Sequence, residues 1–137
     1  MKQEVRKSIA LSYKNMKHLS RIVMGLLYIG AGINHFRNPG FYLQIMPRWL
    51  PWHEALVQAS GVCEIICGLL VLYSGTARVG GWLTILLLIA IFPANIQMAI
   101  DWVHTGHPNT WVAIARLPLQ LVLVWWAYVS CVRGDKK

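Results

Sequence analysis

Charged side chains interrupt two long apolar stretches of this sequence, where such groups are unusual. Glu64 lies within one stretch and Arg116 within another. A charge inside a membrane-spanning segment is costly and usually faces the interior of a helix bundle or a cavity. These two residues can pair with each other and fix the register of two helices, or they can bind a polar ligand. The carboxylate can also exchange a proton.

Further polar side chains lie within the apolar stretches or close to their ends. With a rise of 1.5 Å per residue, Glu64 and Gln120 lie about 15 Å from the same side of a membrane, and Arg116 and Asn95 about 8 Å. We therefore predict one shared polar pocket in the outer half of the bilayer, with no residue assigned to catalysis. Its expected members are His35, Asn34, Ser60, Glu64, Asn95, Arg116 and Gln120.

Two other groups of reactive side chains receive different interpretations. Cys63 and Cys67 lie one helical turn apart, and we interpret them as small packing residues rather than a redox pair. A D-x-x-H-x-x-H pattern, formed by Asp101, His104 and His107, lies in the second predicted outer loop, 101–110, but Gly106 and Pro108 disrupt any helix that would align its ligands. We predict a solvated loop there and no metal site.

The composition and the apolar stretches of the sequence predict the helices that position these residues. Hydrophobic residues make up 56% of the chain and charged residues 13%, whereas soluble domains have about 25% charged residues. Four apolar stretches, at 19–36, 54–73, 79–100 and 111–132, each approach the length of about 20 residues that a helix needs to cross a bilayer. The sequence therefore predicts an all-α integral membrane protein, a bundle of four transmembrane helices.

Basic residues indicate the orientation of these spans. Ten of them lie on the side of both termini and two on the other side, so the positive-inside rule places both termini in the cytoplasm. We predict a multi-pass protein of the plasma membrane, the bacterial inner membrane, with the lipid bilayer as a partner. The net charge of +8 is therefore attributed to orientation and lipid head groups, not nucleic acid. The domains are a basic tail (1–18), the membrane domain (19–132) and a second basic tail (133–137).

The first outer loop, 38–53, is aromatic and apolar, yet it contains three prolines. A loop in water would be more polar, so we expect this segment to lie in the membrane interface or to re-enter the bilayer as a lid over the bundle. Tryptophan suits the head-group level. The expected lid residues are Phe41, Pro47, Trp49 and Pro51.

Much of the chain after residue 20 resembles the DoxX family of small bacterial membrane proteins. The similarity begins with Gly32 and His35–Phe36, and continues through Pro39 and Phe41 and the later segments FPANIQMAI (92–100) and RLPLQ (116–120). Between them lie Pro47, Trp49–Pro51, Ser60–Gly61, Glu64 and Gly68. The resemblance implies a four-helix membrane fold. The family takes its name from small subunits associated with a thiosulfate:quinone oxidoreductase, and similar animal proteins act as assembly chaperones for channels.

Three functions stay open, and the sequence does not decide whether the protein is an enzyme. The first is a non-catalytic subunit or assembly factor of a larger membrane complex, whose partner is another membrane protein or a second copy. The second is the quinone-binding component of a membrane oxidoreductase, with quinone as its cofactor and His35, Glu64 and Arg116 around the head group. The third is a carrier of a small solute or protons.

Overall fold

The computed structural model describes residues 1–134, and all regular structure within them is helical. The all-α prediction is therefore confirmed. Lys136 and Lys137 of the predicted second basic tail lie outside the described residues. The five α-helices are α1 (Lys2–Arg37), α2 (Pro39–Gln44), α3 (His53–Leu72), α4 (Ala77–Thr105) and α5 (Thr110–Ala127), and a π-helical turn (Tyr128–Val132) continues α5.

Three of these helices are long and apolar enough to cross a membrane. They are α3, α4 and α5 with its π-helical turn, and they coincide with the predicted spans 54–73, 79–100 and 111–132. Only 17% of the residues in the most apolar window of α5 are buried, and 33% in that of α4. The remaining apolar side chains face outward, as expected where lipid is the surrounding solvent.

Two predicted boundaries differ from the structure. The tail 1–18 and the stretch 19–36 form one continuous helix, α1. The predicted outer loop 101–110 is wrong in its first half, because α4 continues to Thr105 and places Asp101 and His104 on its last turns. The helix ends where Gly106 takes a left-handed conformation, with φ of 64°, which glycine adopts without steric cost. The polar residues from Asp101 onwards suggested a loop that in the structure begins only after Thr105.

Glycines bring α1 and α3 into close antiparallel contact. A Cβ atom added at Gly32 would lie 2.5 Å from the carbonyl oxygen of Gly61, and one added at Gly68 would lie 2.6 Å from that of Gly25. The backbones touch at both places, so no larger residue fits without moving a helix. Small residues serve this purpose in membrane helix pairs. These two glycine pairs fix the register of α1 against α3.

The other helices close the bundle around this pair. Helix α4 packs against α3 and α5, and the π-helical turn packs against both α4 and α1. Near that turn the indole N–H of Trp126 donates to the Ser20 hydroxyl at 2.7 Å, and Ser20 and Ser130 are hydrogen-bonded at 2.8 Å. The bundle core at this end is apolar and consists of Met24, Val71, Ile85, Ala127, Cys131 and Val132.

Candidate functional site

Two adjoining cavities lie between the helices of the bundle. One, of about 490 Å³, lies between α1, α4 and α5, and we call it the Tyr28 cavity. The other, of about 420 Å³, lies between α1, α3 and α4 beneath the segment that contains α2, and we call it the His35 cavity. The residues that line both are Ala31, Glu64, Ile91, Asn95 and Arg116.

The structure gathers most of the predicted pocket residues at these cavities. His35 and Ser60 line the His35 cavity, and Gln120 lines the Tyr28 cavity. Glu64, Asn95 and Arg116 lie at the junction of the two. Asn34 is the exception, because it lines neither cavity.

His35 is buried and connects α1 to α3 through both of its ring nitrogens. Nδ1 lies 3.0 Å from the Val57 carbonyl oxygen. A carbonyl can only accept, so Nδ1 carries the hydrogen. Nε2 lies 3.5 Å from Oε2 of Glu64. With Nδ1 fixed as a donor, the contact between Nε2 and Oε2 is attractive when at least one of the two atoms carries a proton. The two groups can therefore share one proton.

Tyr42, on α2, covers the His35 ring. The two ring centroids are 3.7 Å apart and the planes are inclined by 24°. The Tyr42 hydroxyl accepts a hydrogen bond from the Asn34 amide at 3.0 Å. Asn34 thus positions the ring that stacks on His35, although it does not reach the cavity itself.

Arg116 makes no hydrogen bond or ion pair with any residue between 1 and 134. In particular, the ion pair between Glu64 and Arg116, which the sequence left open, is not formed. The guanidinium is half-buried on α5 and lines both cavities. It therefore has all of its hydrogen-bond donors available to a group inside the cavities.

Two further polar atoms, one on Tyr28 in the wall of the Tyr28 cavity and one on Glu64 at the junction, have no hydrogen-bond partner within the described residues, although the Glu64 atom lies 3.5 Å from Nε2 of His35. The Tyr28 hydroxyl and Oε2 of Glu64 are both buried and accept or donate no hydrogen bond. Buried polar groups in proteins are nearly always hydrogen-bonded, and those that are not call for an explanation such as a bound molecule. A phenol, a carboxyl group and a free guanidinium thus surround the same space.

A hydrogen-bonded chain on the opposite wall holds α4 to α5. The Asn95 amide donates to Oε1 of Gln120 at 2.6 Å, and the Gln120 amide donates to the Leu88 carbonyl oxygen. Pro93 lies within α4 and lacks the N–H that would bond the Ile89 carbonyl oxygen, which comes directly after Leu88 in the chain. These two amides therefore have a structural role in addition to their place at the cavities.

The segment between α1 and α3 covers the His35 cavity with residues other than those expected. The cover consists of Tyr42, Ile45, Met46 and Leu50. Of the expected lid residues, Pro47 is fully buried, whereas Phe41 and Trp49 are 48% and 62% exposed. Pro51 is exposed as well. The buried proline anchors the segment, and the aromatic side chains point away from the cavity.

The other reactive groups lie apart from this site. Asp101, His104 and His107 line a separate cavity of about 450 Å³ at the end of α4. Among residues 1–134 no three histidine, cysteine or acidic side chains come together as metal ligands. Cys63 is exposed and Cys67 is buried, and both are free thiols.

The fold and the cavities define a class: a helical bundle with three helices fit to cross a membrane and a polar cavity between them. The chain belongs to the family described as Domain of unknown function (DUF8561), whose model matches residues 24–131. The match includes every helix that contributes to the two cavities. No curated protein and no solved structure matches the chain.

Proposed function

We propose that the chain crosses the bacterial plasma membrane four times, as DoxX-like proteins do, with both termini in the cytoplasm. The first span is the second half of α1, residues 19–36, which at 1.5 Å per residue is about 27 Å long. Its tight glycine contacts with α3 support this placement, because small residues at points of close backbone approach are typical of helix pairs within membranes. The segment with α2 then lies at the outer interface as the cover of the His35 cavity.

We further propose that the protein binds a quinone at the junction of the two cavities, as a component of a membrane oxidoreductase. The observation that carries this proposal is the set of unsatisfied polar groups there: the Arg116 guanidinium, the Tyr28 hydroxyl and the Glu64 carboxyl group. A quinone head group has two carbonyl oxygens, which accept hydrogen bonds from donors such as arginine and tyrosine.

The apolar walls suit the rest of such a molecule. Leu27, Leu88, Leu119 and Leu123 line the Tyr28 cavity, beside the polar junction. Ligand sites are commonly built in this way, with apolar walls and a few polar groups that set orientation. An amphiphile with a polar head and an apolar tail therefore matches the cavity better than a small hydrophilic solute.

The His35–Glu64 pair gives the site a proton to exchange. Reduction of a quinone to a quinol takes up two electrons and two protons, and side chains of this type transfer protons efficiently. The electrons would come from a redox partner protein, one proton from the His35–Glu64 pair and the second proton from water. Within this chain, His35 and Glu64 hold a proton at the cavity wall, and Arg116 and Tyr28 orient the oxygens.

A binding titration tests the proposal. Purified protein in mild detergent is titrated with a short-tailed benzoquinone, and the affinity is compared with that of Arg116→Gln. We expect the substitution to weaken binding by about 10- to 100-fold, since hydrogen bonds to charged groups contribute about 1.5–3 kcal/mol. Arg37→Gln is the matched control, because Arg37 is exposed at the end of α1 and lines neither cavity. Equal affinity in all three proteins would disprove the site.

A second candidate function, a subunit or assembly factor of a larger membrane complex, has support from α1. Residues 1–16 of the chain are exposed on every side, so α1 offers a partner a free helical surface. Val5, Ile9 and Met16 lie on one face of it.

Co-purification from native membranes tests this function: Val5→Ser with Ile9→Ser should release a partner, whereas Leu11→Ser, on another face, should not. A wild-type protein that elutes alone in mild detergent would count against it.

A further inference from the structure

A basic cavity lies at the other end of the bundle from His35, beside the turn between α3 and α4. Its volume is about 400 Å³. Five lining residues come from consecutive turns of α1 and one from the turn after α3. They are Lys14, Asn15, Lys17, His18, Arg21 and Ser74. None of these lining residues is acidic, so the cavity concentrates positive charge.

Two side-chain contacts hold Arg21 in place. Its Nη2 atom donates to the Ser74 hydroxyl at 2.9 Å and contacts Nδ1 of His18 at 3.0 Å. The guanidinium is thereby held between α1 and the turn after α3. Its Nε atom is buried and has no hydrogen-bond partner within the described residues. An arginine fixed in this way keeps donors free at a defined position.

The lysines complete the rim of the cavity. The Lys17 ammonium group donates to the Arg133 carbonyl oxygen, which holds its charge beside the end of the π-helical turn. Lys14 is exposed one turn earlier on α1. The cavity thus has a fixed guanidinium at its base and the exposed ammonium group of Lys14 at its edge.

The cavity lies where the chain changes from polar to apolar. Leu19 begins the apolar stretch of α1, and the hydrogen bond from Trp126 to Ser20 marks the same level on α5. Tryptophan side chains favour the boundary between head groups and hydrocarbon. Under the four-span arrangement proposed above, this level is that of the lipid phosphates on the cytoplasmic side. Basic pockets between membrane helices on that side bind anionic head groups.

We propose that this cavity is a binding site for a phosphate group, with Arg21 as its central ligand and Lys14 as its flanking charge. Arginine binds phosphate through charge-assisted hydrogen bonds of defined geometry. The phosphate belongs either to an anionic phospholipid or to a soluble phosphate. This site is independent of the proposed quinone site, because the two share no lining residue.

The test uses the full chain, stripped of lipid in an uncharged detergent. The thermal unfolding midpoint is measured against increasing dioleoylphosphatidylglycerol, dioleoylphosphatidylcholine or inorganic phosphate. A ligand that binds the folded state raises the midpoint in proportion to its affinity. We expect a saturable rise with phosphatidylglycerol and none with phosphatidylcholine. A rise with inorganic phosphate alone, not increased by phosphatidylglycerol, would identify a soluble phosphate as the ligand.

Three variants test whether the rise in the unfolding midpoint comes from binding at this cavity. Arg21→Gln and Lys14→Gln should each weaken the apparent affinity for phosphatidylglycerol, Arg21→Gln by about tenfold or more. Lys14 is exposed, so Lys14→Gln tests the site even if Arg21→Gln destabilises the fold. Arg6→Gln, on the same helix but outside the cavity, is the matched control for charge. An equal loss in Arg6→Gln and Lys14→Gln, or an equal rise with phosphatidylcholine, would overturn the proposal.

Discussion

Helix α1 has two very different neighbours in this bundle. Against α3 its backbone makes direct contact at the Gly25–Gly68 and Gly32–Gly61 pairs. Towards α5 it leaves the Tyr28 cavity, which is wide enough for a ligand head group. The difference shows how a small helical bundle builds a cavity lined by polar groups: the rigid interface fixes the His35–Glu64 pair, and the open interface provides the space.

The rigid interface acts directly on the His35–Glu64 pair. His35 follows Gly32 by one helical turn, and Glu64 follows Gly61 by one turn. A Cβ atom added at Gly61 would lie 2.8 Å from Cβ of His35. The close approach of the helices therefore sets the 3.5 Å separation of the imidazole and the carboxyl group. A wider interface would separate the two groups.

The largest expected effect comes from enlarging Gly32. Gly32→Val places side-chain atoms against the Gly61 carbonyl and should lower the free energy of unfolding by about 1–3 kcal/mol. Titration of a denaturing detergent into mild micelles measures this change. Gly30→Val is the matched control, because a Cβ atom added at Gly30 meets nothing within 4 Å. A similar loss in both variants would mean that the glycine contact is not the cause.

An intermediate effect is expected at the wall shared by α4 and α5. Gln120→Leu leaves the Asn95 amide and the Leu88 carbonyl without their partner, and should cost about 1–2 kcal/mol of unfolding free energy. The same detergent titration applies. Gln97→Leu, whose hydrogen bond to Asp101 is exposed, should cost less than about 0.5 kcal/mol. If Gln97→Leu proved as costly as Gln120→Leu, the buried chain would have no special role.

The smallest effect is expected at the closed end of the bundle. Ser20→Ala removes the acceptor of the Trp126 N–H and the partner of Ser130, and should cost about 1 kcal/mol, because hydrogen bonds between membrane helices contribute about 0.6 kcal/mol each. Trp126 fluorescence should also change, because its N–H loses its partner. Ser12→Ala, at an exposed position of α1, should change neither quantity. An unaltered Ser20→Ala protein would show that apolar packing alone closes this end.

The sequence predicted the helices better than their ends. Long apolar stretches are explicit in the residue types, and the second to fourth predicted spans match α3, α4 and α5 closely. The end of α4 was wrong because Asp101 and His104 suggested a loop, although polar residues extend a helix into the head-group layer without cost. The change from polar to apolar residues near residue 18 likewise gave no sign that α1 continues through it.

The members of the site could be predicted more readily than their contacts. Depth in the membrane follows from residue number, so six of the seven expected residues line the cavities. Whether a residue at the right depth reaches the cavity depends on its direction around the helix axis. Asn34 precedes His35 by one residue and therefore points about 100° away from it, where it bonds to Tyr42. The partners of His35 depend on the register of α1 and α3. That register is set by the contacts of Gly25 with Gly68 and of Gly32 with Gly61, and the sequence of one helix does not show which glycine of the other helix it meets.

Analysis of the molecules that remain bound to the protein after purification from native membranes tests the central claim most directly. The protein is extracted in mild detergent, and its small molecules are identified and counted by mass spectrometry. We predict close to one quinone per chain in the wild type and in Arg37→Gln, and a small fraction of that in Arg116→Gln. Wild-type protein that carries no quinone, or an Arg116→Gln variant that retains it fully, would contradict a quinone site at the junction of the two cavities.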